Sequence, residues 1–302
     1  MDSYLEIILN KIEVKDSKHA HKLRKSLYEL GEEYILKANS FYKKYSMYLE
    51  NENKTLDFGV DCYLHMMDDM LDERIEFIRN GKYSSSSFDE VEKRVYKNPV
   101  TMTYHMHGLV LAQFLWVEQF QRFIFFSKNL KRYAADSKKY LEIGGGHGLY
   151  IGEAIELLSD VKQFDMVDIS QSSLNLAKGI LCNDTINYHL KNILYFDKKE
   201  HTYDFITVGE VLEHLEEPLV LLKKIVELLG NNGICYLTTP INAPMIDHIY
   251  LFNNEEEIRE LFNLVGLEIL EEKIAVSDNE TLTHARKYKT PVMYAAFIKQ
   301  KN

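Results

Sequence analysis

A run of alternating glycines in the middle of the chain has the residue types and spacing of a cofactor-binding turn. It follows a short apolar segment, precedes a helical pattern, and comprises Glu142, Gly144, Gly145, Gly146 and Gly148. Glycine lets the backbone approach a ligand closely and adopt positive φ. A helix that begins behind the turn offers free N–H groups. The run predicts a site for a nucleotide-like cofactor; a turn that merely connects strand and helix is the alternative.

A second acidic residue stands where such a site needs one. Asp168 ends the next apolar segment, 22 positions after Gly146, which is close to the offset of a carboxylate that binds a ribose. Its oxygens can accept hydrogen bonds from both hydroxyls of a ribose diol. The alternative is that Asp168 caps the following helix, a role that Ser170 could fill instead.

A third motif, with the sequence E-V-L-E-H, occupies residues 210–214 and follows the segment 203–209. Together with the acidic-x-Gly-x-Gly-x-Gly run, it resembles class I S-adenosylmethionine (SAM) dependent methyltransferases. The resemblance covers residues 138–300 and does not extend to the first half of the chain. The dinucleotide fingerprint G-x-G-x-x-G fits less well, because Gly148 is one position early.

The resemblance implies a set of cofactor contacts. Glu142 would help to hold the amino group of the methionine part, Asp168 would bind the ribose, and Ile169 would pack on the adenine. For Glu142, a hydrogen bond within the turn is the alternative. Asn192 stands where the family usually carries Asp, and its amide could still bond the adenine amino group. The resemblance further implies that Val208 and Gly209 line the sulfonium. Glu210, and Ile193 beside the adenine, complete the expected cofactor contacts.

Methyl transfer from a sulfonium is an in-line displacement, so the protein must place the acceptor and remove its proton where necessary. Two histidines on the cofactor side are candidates for that base: His214, at the start of a helix, and His248, in the loop 240–250. An unperturbed imidazole is a competent base near neutral pH. A hydrogen-bonded structural histidine is the alternative for each.

The same region could hold a divalent cation, because Glu210, Glu213, His214 and His248 all carry metal-binding side chains. In some ubiquinone-pathway O-methyltransferases and small-RNA 2′-O-methyltransferases, a similar cluster binds a cation that lowers the pKa of the acceptor hydroxyl. The E-V-L-E-H motif also occurs in methyltransferases without a metal. The sequence therefore favours no metal here.

A helix in the first half is a third source of acceptor contacts. Tyr104 and His107 place polar groups on an apolar, aromatic-rich helix, and such groups need partners when buried. The helix could lie over the cofactor site as a lid and contact the acceptor through both residues. Packing in the core is the alternative, and it is what aromatic residues at helical spacing usually indicate.

These residues need elements that bring them together, and the composition changes near Lys138. Before it, the pattern is helical, with helices predicted over 3–13, 18–46 and 60–79 and another that Asn98 caps and Pro99 begins. We expect a helical N-terminal domain over 1–135, as a lid for substrate or a dimerisation surface. A SAM-binding domain would follow over 136–302.

The second half alternates β-branched segments with helical patterns. Strands are predicted at 139–143, 163–168, 186–190, 203–208, 233–239, 267–275 and 292–299, and helices at 149–159, 171–181, 217–230 and 254–265. The alternation predicts an α/β fold with a doubly wound, mostly parallel sheet. The last two strands are expected to form an antiparallel hairpin with no helix between them, joined by the polar stretch 278–280. Seven strands with an antiparallel last strand is the layout of class I methyltransferases.

Composition limits the partners and the compartment. The 302 residues include 36 Lys and Arg against 46 Asp and Glu, a formal charge of −10. Binding to nucleic acid or to an anionic membrane needs a basic surface, so neither is expected. Polar residues interrupt the most apolar segment, 109–126, and argue against a membrane span. Three distant cysteines and an N-terminus without the features of a signal peptide predict a cytoplasmic protein.

The sequence thus favours a SAM-dependent methyltransferase that acts on an oxygen or nitrogen of a small molecule, either a biosynthetic metabolite or a sugar-like acceptor. A homodimer through the helical half is compatible with this interpretation. One alternative is a nicotinamide-dependent oxidoreductase, against which the position of Gly148 and the terminal hairpin count. Another is a non-catalytic scaffold that binds SAM. An RNA acceptor is disfavoured by the negative charge.

Overall fold

The first half of the chain is helical. The computed structural model describes residues 3–196, 202–276 and 280–301. Its helices are α1 (Tyr4–Lys15), α2 (Ser17–Tyr28), α3 (Gly31–Asn51), α4 (Leu56–Asn80), α5 (Phe88–Val91), α6 (Pro99–Leu115) and α7 (Val117–Ala134), with a π-helical turn (Glu92–Tyr96) before α6. Within the described ranges, no helix is long and apolar enough to cross a bilayer.

Local sequence explains where these helices begin and end. Asn98 caps α6, since its side chain accepts hydrogen bonds from the backbone N–H groups of Val100 and Thr101, and Pro99 is the first helical residue, as predicted. The single helix predicted over 18–46 is wrong. It is two helices, because the chain turns at Gly31, whose φ of +81° suits glycine.

The second half forms the predicted seven-stranded sheet. The strands are β1 (Lys139–Ile143), β2 (Gln163–Asp168), β3 (Ile186–Leu190), β4 (Tyr203–Gly209), β5 (Leu229–Ile241), β6 (Leu267–Val276) and β7 (Val292–Gln300), and the helices are α8 (Leu149–Leu157), α9 (Gln171–Leu181), α10 (Pro218–Leu228), α11 (Glu255–Leu264) and α12 (Leu282–Tyr288). The order is β3-β2-β1-β4-β5-β7-β6. The last strand is antiparallel to both neighbours. The α/β fold class is thereby confirmed.

The connection between β6 and β7 differs from the expectation. The two strands pair antiparallel at one edge of the sheet, but the short helix α12 lies between them. Thr281 caps this helix by accepting a hydrogen bond from the backbone N–H of His284. Of the polar stretch predicted to join the strands, Asp278 and Asn279 lie outside the described residues.

The helical half and the sheet share one hydrophobic core, which fixes the helices over the sheet. The packing is aromatic: the ring of Phe126 on α7 lies 5.0 Å from that of Tyr150 and 4.9 Å from that of Tyr236 on β5. The Tyr236 hydroxyl also donates a hydrogen bond to the backbone oxygen of Arg122, at 2.9 Å. A second core, under α10, α11 and α12, covers the opposite face of the sheet.

Candidate functional site

A cavity of about 810 Å³ lies between the two halves. One wall consists of the loops that follow β1, β2, β4 and β5, so the cavity opens beyond the carboxyl ends of these strands, where ligands bind in doubly wound sheets. The opposite wall consists of α2, α4, α6 and the first residues of α7. The cavity therefore touches both the sheet and the helices that cover it.

The glycine run forms a tight loop at the floor of the cavity. Gly144, Gly146 and Gly148 have φ of +66°, +53° and +76°, a region that other residues rarely adopt. A Cβ atom on Gly144 would lie 2.5 Å from Val211, and one on Gly148 would lie 2.7 Å from Leu181. A Cβ on Gly146 would meet its nearest described atom only at 3.8 Å. The loop is thus closed at its ends and open at Gly146, which leaves a cradle for a ligand.

Glu142 lies at the end of β1 beside this loop. Its side chain is buried, and Oε2 has no hydrogen-bond partner among the residues described. Burial raises the pKa of the carboxyl well above its ordinary value. A buried carboxylate oxygen that lacks a partner is costly unless a ligand supplies one. The position therefore fits a cationic group such as an ammonium.

Asp168 is the last residue of β2 and lies beside the cradle. One oxygen accepts from the backbone N–H of Ser170 at 2.8 Å, and the other from that of Gly146 at 3.4 Å. Burial raises the pKa of the carboxyl to about 6. Ser170, not Asp168, caps α9, since its hydroxyl accepts from the N–H of Ser173. Asp168 thus remains available to a ligand, and Ile169 beside it is 45% exposed on the cavity wall.

The loop after β3 adds Asn192 and Ile193 to the same wall. Asn192 caps a short 3₁₀ turn, and its amide oxygen accepts a hydrogen bond from the backbone N–H of Leu194 at 2.9 Å. The oxygen that was expected to bind an adenine amino group therefore already accepts one bond. Ile193 is nearly buried and presents apolar surface to the cavity.

Of the residues predicted as cofactor contacts at the end of β4, two line the cavity and one does not. Gly209 and Glu210 line the cavity, whereas Val208 is fully buried in the core of the sheet and is not among the lining residues described. The Glu210 carboxylate pairs with the guanidinium of Arg122 and accepts a hydrogen bond from the Thr238 hydroxyl at 2.7 Å. Arg122 comes from α7 and is fully buried. This ion pair ties the loop after β4 to the helical half.

Three of the four suggested metal ligands come together. Potential ligand atoms of Glu213, His214 and His248 all lie within 4.8 Å of one another, while Glu210 is held by Arg122. The Nδ1 atom of His214 lies 2.9 Å from the backbone oxygen of Asp247, and that of His248 lies 2.6 Å from the backbone oxygen of Ala243. If each Nδ1 carries the proton, each Nε2 has a free lone pair.

The pKa values of these three side chains shift in different directions. Burial, together with the charge of Glu210, raises the pKa of Glu213. Burial opposes protonation of His214, but Asp247 and Glu213 outweigh it and raise the pKa. Burial and the neighbouring His214 lower the pKa of His248 to about 3. The two histidines therefore favour different charge states, with His248 neutral.

The helical half contributes a residue that sequence reasoning missed. His105, on α6, lines the cavity, and its Nε2 lies 3.2 Å from Oδ2 of Asp247 in the loop after β5. Both side chains are almost fully buried. Burial alone would raise the pKa of Asp247, but His105 and His214 outweigh it and hold the pKa well below the usual range. Helical spacing is the signal that was available, because His105 shares a face with Met102 and Leu109.

Tyr104 and His107, which were expected to face the acceptor, point elsewhere. Neither belongs to the described cavity lining. The Tyr104 hydroxyl donates to Asp69 at 2.6 Å, and its ring stacks on His65 at 3.9 Å. His107 is bonded to the Tyr45 hydroxyl through Nδ1 at 2.7 Å, and burial lowers its pKa to about 4. We therefore assign neither residue a part in the chemistry.

The part of the cavity next to the helices is mainly apolar. It has an unusual share of methionine, supplied by both halves of the molecule: Met67, Met70, Met102, Met106, Met245 and Met293. Phe88, Leu109 and Trp116 add to this surface. Methionine is flexible and polarisable, so such a wall adapts to an apolar ligand.

Comparisons with known proteins agree with this geometry. The profile of a methyltransferase domain family matches residues 118–272, just over half of the 302-residue chain. Ubiquinone biosynthesis O-methyltransferase from Coxiella burnetii is 29% identical over 130 residues, which cover 42% of this chain and 53% of that protein. The match thus spans about half the length of the curated relatives.

Two solved structures are similar to this chain, and the first of them shares its fold. Mitomycin 7-O-methyltransferase MmcR is similar with a TM-score of 0.54 and 10% identity, covering 81% of this chain and 70% of that one. N-methyltransferase NodS from Bradyrhizobium japonicum WM9, in complex with S-adenosyl-L-homocysteine, has a TM-score of 0.47 and 16% identity over 62% of this chain and 89% of that one.

The family profile and the sheet order, with its antiparallel last strand, argue against a nicotinamide-dependent oxidoreductase. The chain belongs to the class I SAM-dependent methyltransferases.

Proposed function

We propose that this protein transfers a methyl group to a hydroxyl oxygen of a small, largely apolar acceptor. The observation that carries the proposal is that one cavity is lined both by the glycine cradle with Asp168 and by several histidines and methionines. SAM, when bound, supplies the methyl group of its sulfonium. As the methyl group is transferred, the electron pair of the carbon–sulfur bond stays on the sulfur. The acceptor can lie next to it in the same enclosed space.

Residues around the cradle are proposed to bind the cofactor. Glu142 would accept hydrogen bonds from its ammonium group, which gives the unpartnered Oε2 a partner. Asp168 would accept from the ribose hydroxyls, and Ile169 would pack on the adenine, with Asn192 and Ile193 at its edge. The backbone at Gly209 would lie next to the sulfonium.

The choice of oxygen rests on two considerations. The curated relatives are named as O-methyltransferases. Imidazole side chains also line the cavity, and a hydroxyl needs a base where an amine in its neutral form does not. His214 and His248 are proposed to contact the acceptor or to orient the groups that do.

The apolar wall bears on the type of acceptor. A sugar-like molecule needs many hydrogen-bond partners, whereas methionines and aromatic rings dominate the lining next to the helices. We therefore favour an acceptor with an apolar body and few hydroxyls. In this proposal the helical region 1–135 is the cover of the acceptor site and region 136–302 holds the cofactor.

A divalent cation at Glu213, His214 and His248 is a second candidate, favoured by the 4.8 Å grouping of their ligand atoms. Oε1 of Glu213 is buried without a hydrogen-bond partner in the described part of the chain. Two imidazoles and one carboxylate form a recognised ligand set for a catalytic metal. A cation there would lower the pKa of an acceptor hydroxyl. Activity that EDTA abolishes and Mn²⁺ or Zn²⁺ restores would establish this variant, and full activity in EDTA would exclude it.

The function is tested by incubating the protein with SAM that carries a tritiated methyl group. The acceptors are alkyl-substituted phenols and catechols, each paired with the aniline of the same shape. We expect transfer to the hydroxyl compounds and slower or no transfer to the anilines. Turnover of the anilines alone would make the protein an N-methyltransferase. Binding of S-adenosylhomocysteine without turnover of any acceptor would favour the scaffold.

A further inference from the structure

We propose that His105, from the helical half, accepts the proton of the acceptor hydroxyl and that Asp247 is its positioning residue. The proposal rests on the proposed function, because it needs a hydroxyl acceptor. It adds a catalytic group that lies outside the region matched by the family profile, which begins at residue 118.

The first step is the position of His105. It lies on α6 in the cavity wall, next to Met102 and Met106. Met106 in turn lies over the glycine loop, since its Cε is the atom nearest to a Cβ built on Gly146, at 3.8 Å. The imidazole is thus on the helical surface that faces the cofactor cradle. An acceptor held between α6 and the cradle would contact it.

The second step is the hydrogen bonding of the ring. Nε2 of His105 lies 3.2 Å from Oδ2 of Asp247, whereas Nδ1 is buried with no hydrogen-bond partner among the residues that the structure describes. An ionised carboxylate only accepts, so Nε2 carries the proton and Nδ1 has the lone pair. An unpaired buried lone pair in a cavity wall calls for a donor from a ligand, and a hydroxyl is one.

The third step is charge. A proton taken up at Nδ1 makes the ring a cation, and the Asp247 carboxylate next to Nε2 stabilises that cation as well as the ring orientation. The acceptor oxygen, as it loses the proton, forms the new bond to the methyl carbon. Both products of the proton transfer are therefore accounted for within the site.

His214 and His248, the histidines on either side of Asp247 in the cavity wall, are less suited to this task. Nδ1 of His214 lies 2.9 Å from the Asp247 backbone oxygen, and its Nε2 lies 3.8 Å from the Glu213 carboxylate. Nδ1 of His248 is bonded to a backbone oxygen, and the rest of its ring belongs to the cluster around Glu213. Of these three histidines, His105 is the one whose unpartnered nitrogen does not belong to the cluster around Glu213.

The first test reads the tautomer directly and needs no acceptor. The protein is labelled with ¹⁵N-histidine and saturated with S-adenosylhomocysteine, and the signals that disappear in His105→Gln identify the ring. We expect a neutral ring with the proton on Nε2. A ring with the proton on Nδ1, or a ring protonated on both nitrogens at pH 7.5, would overturn the proposal.

The second test uses the phenol or catechol that the wild-type protein methylates fastest. His105→Gln keeps a donor near Asp247 but has no basic nitrogen, so kcat should fall at least about 100-fold, with little change in KM or in the affinity for S-adenosylhomocysteine. His107→Gln is the matched comparison, because it removes a buried histidine two residues away that does not line the cavity. The proposal expects a much smaller loss of kcat there.

The outcomes separate the two proposals. Failure of the wild-type protein to methylate any acceptor overturns the proposed function and this proposal with it. Turnover that His105→Gln retains within a few-fold overturns this proposal alone. If His105→Gln does not bind S-adenosylhomocysteine and is thus misfolded, His105→Asn is used in its place and judged by the same criteria.

Discussion

The two walls of the cavity are built in different ways. The cofactor wall consists of loops that leave the ends of neighbouring strands, and its main features are backbone φ values and the carboxylates Glu142 and Asp168. The opposite wall, which we propose to face the acceptor and call the acceptor wall, consists of side chains from α2, α4, α6 and the start of α7, helices that precede the sheet in the sequence. One wall is encoded by residues close in sequence, and the other by packing between distant elements.

This difference indicates which parts of the site can vary in sequence without loss of the fold. A glycine loop at a strand end depends on local geometry, so its residues recur at fixed spacing. The acceptor wall can change with any helix face that reaches the cavity. The Arg122–Glu210 pair holds the two walls together, since a guanidinium on α7 fixes the loop after β4.

The largest effect expected is on that link. Arg122→Met takes the guanidinium from the Glu210 carboxylate, which is partly exposed and keeps the hydrogen bond from Thr238, and the loss of this charged hydrogen bond should cost about 2 kcal/mol. The change is measured as the free energy of unfolding in urea. Lys44→Met is the matched control, because Lys44 joins α3 to Glu156 on α8 through an exposed pair, which contributes at most about 1 kcal/mol. Equal losses in both variants would contradict the bridging role of Arg122.

A methyl group added at the glycine cradle should weaken cofactor binding and leave the acceptor wall unchanged. In Gly146→Ala the new Cβ would meet the nearest described atom at 3.8 Å, so it enters the space meant for the ligand. We expect the affinity for S-adenosylhomocysteine to fall about 10- to 100-fold. Gly31→Ala carries the same positive-φ strain far from the cavity and should leave the affinity unchanged. Calorimetric titration of both variants decides.

The affinity should also depend on pH through Asp168. Burial raises the pKa of this carboxyl to about 6, so the free protein binds a proton there as the pH falls below 6. A ribose diol needs the ionised form, so the dissociation constant for S-adenosylhomocysteine should rise by up to about tenfold per pH unit below 6. Asp168→Asn should bind weakly at all pH values and lose most of this dependence. An identical pH profile in the variant would assign the effect to another group.

The smallest effect concerns the position of α6. Asn98→Ala removes the cap of this helix and should cost about 1 kcal/mol of stability. Thr281→Ala removes the cap of α12, which is the control. Both variants should keep their affinity for S-adenosylhomocysteine, and only Asn98→Ala should raise the KM for the acceptor. A raised KM in both would show that the effect comes from general loss of stability.

The sequence reveals most of the fold and one wall of the site. The predicted strands agree with those of the sheet, because short β-branched and apolar segments and the glycine turns are local signals. The same applies to the cap at Asn98 and to the cavity positions of Gly146 and Asp168. The predicted hairpin without a helix is wrong, because the short α12 has too few turns to produce a clear period.

The acceptor wall was not predictable to the same extent. Residues on nearly every side of α6 are buried, so its hydrophobic pattern does not show which face meets the cavity. His107 was therefore expected at the position that His105 occupies. The Arg122–Glu210 pair joins residues far apart in sequence, and a single sequence contains no local signal for such a contact. Val208 was expected to line the sulfonium, but β4 continues to Gly209, and Val208 is therefore buried within the strand.

The central claim is that the open cradle and Asp168 bind the SAM family of ligands. It is tested most directly by calorimetric titration of the protein with S-adenosylhomocysteine, with NAD as the control ligand and Asp168→Ala as the control variant. We expect micromolar or tighter binding of S-adenosylhomocysteine, no binding of NAD, and a marked loss of affinity in Asp168→Ala. Binding of NAD alone, or equal affinity for S-adenosylhomocysteine in both proteins, would contradict the claim.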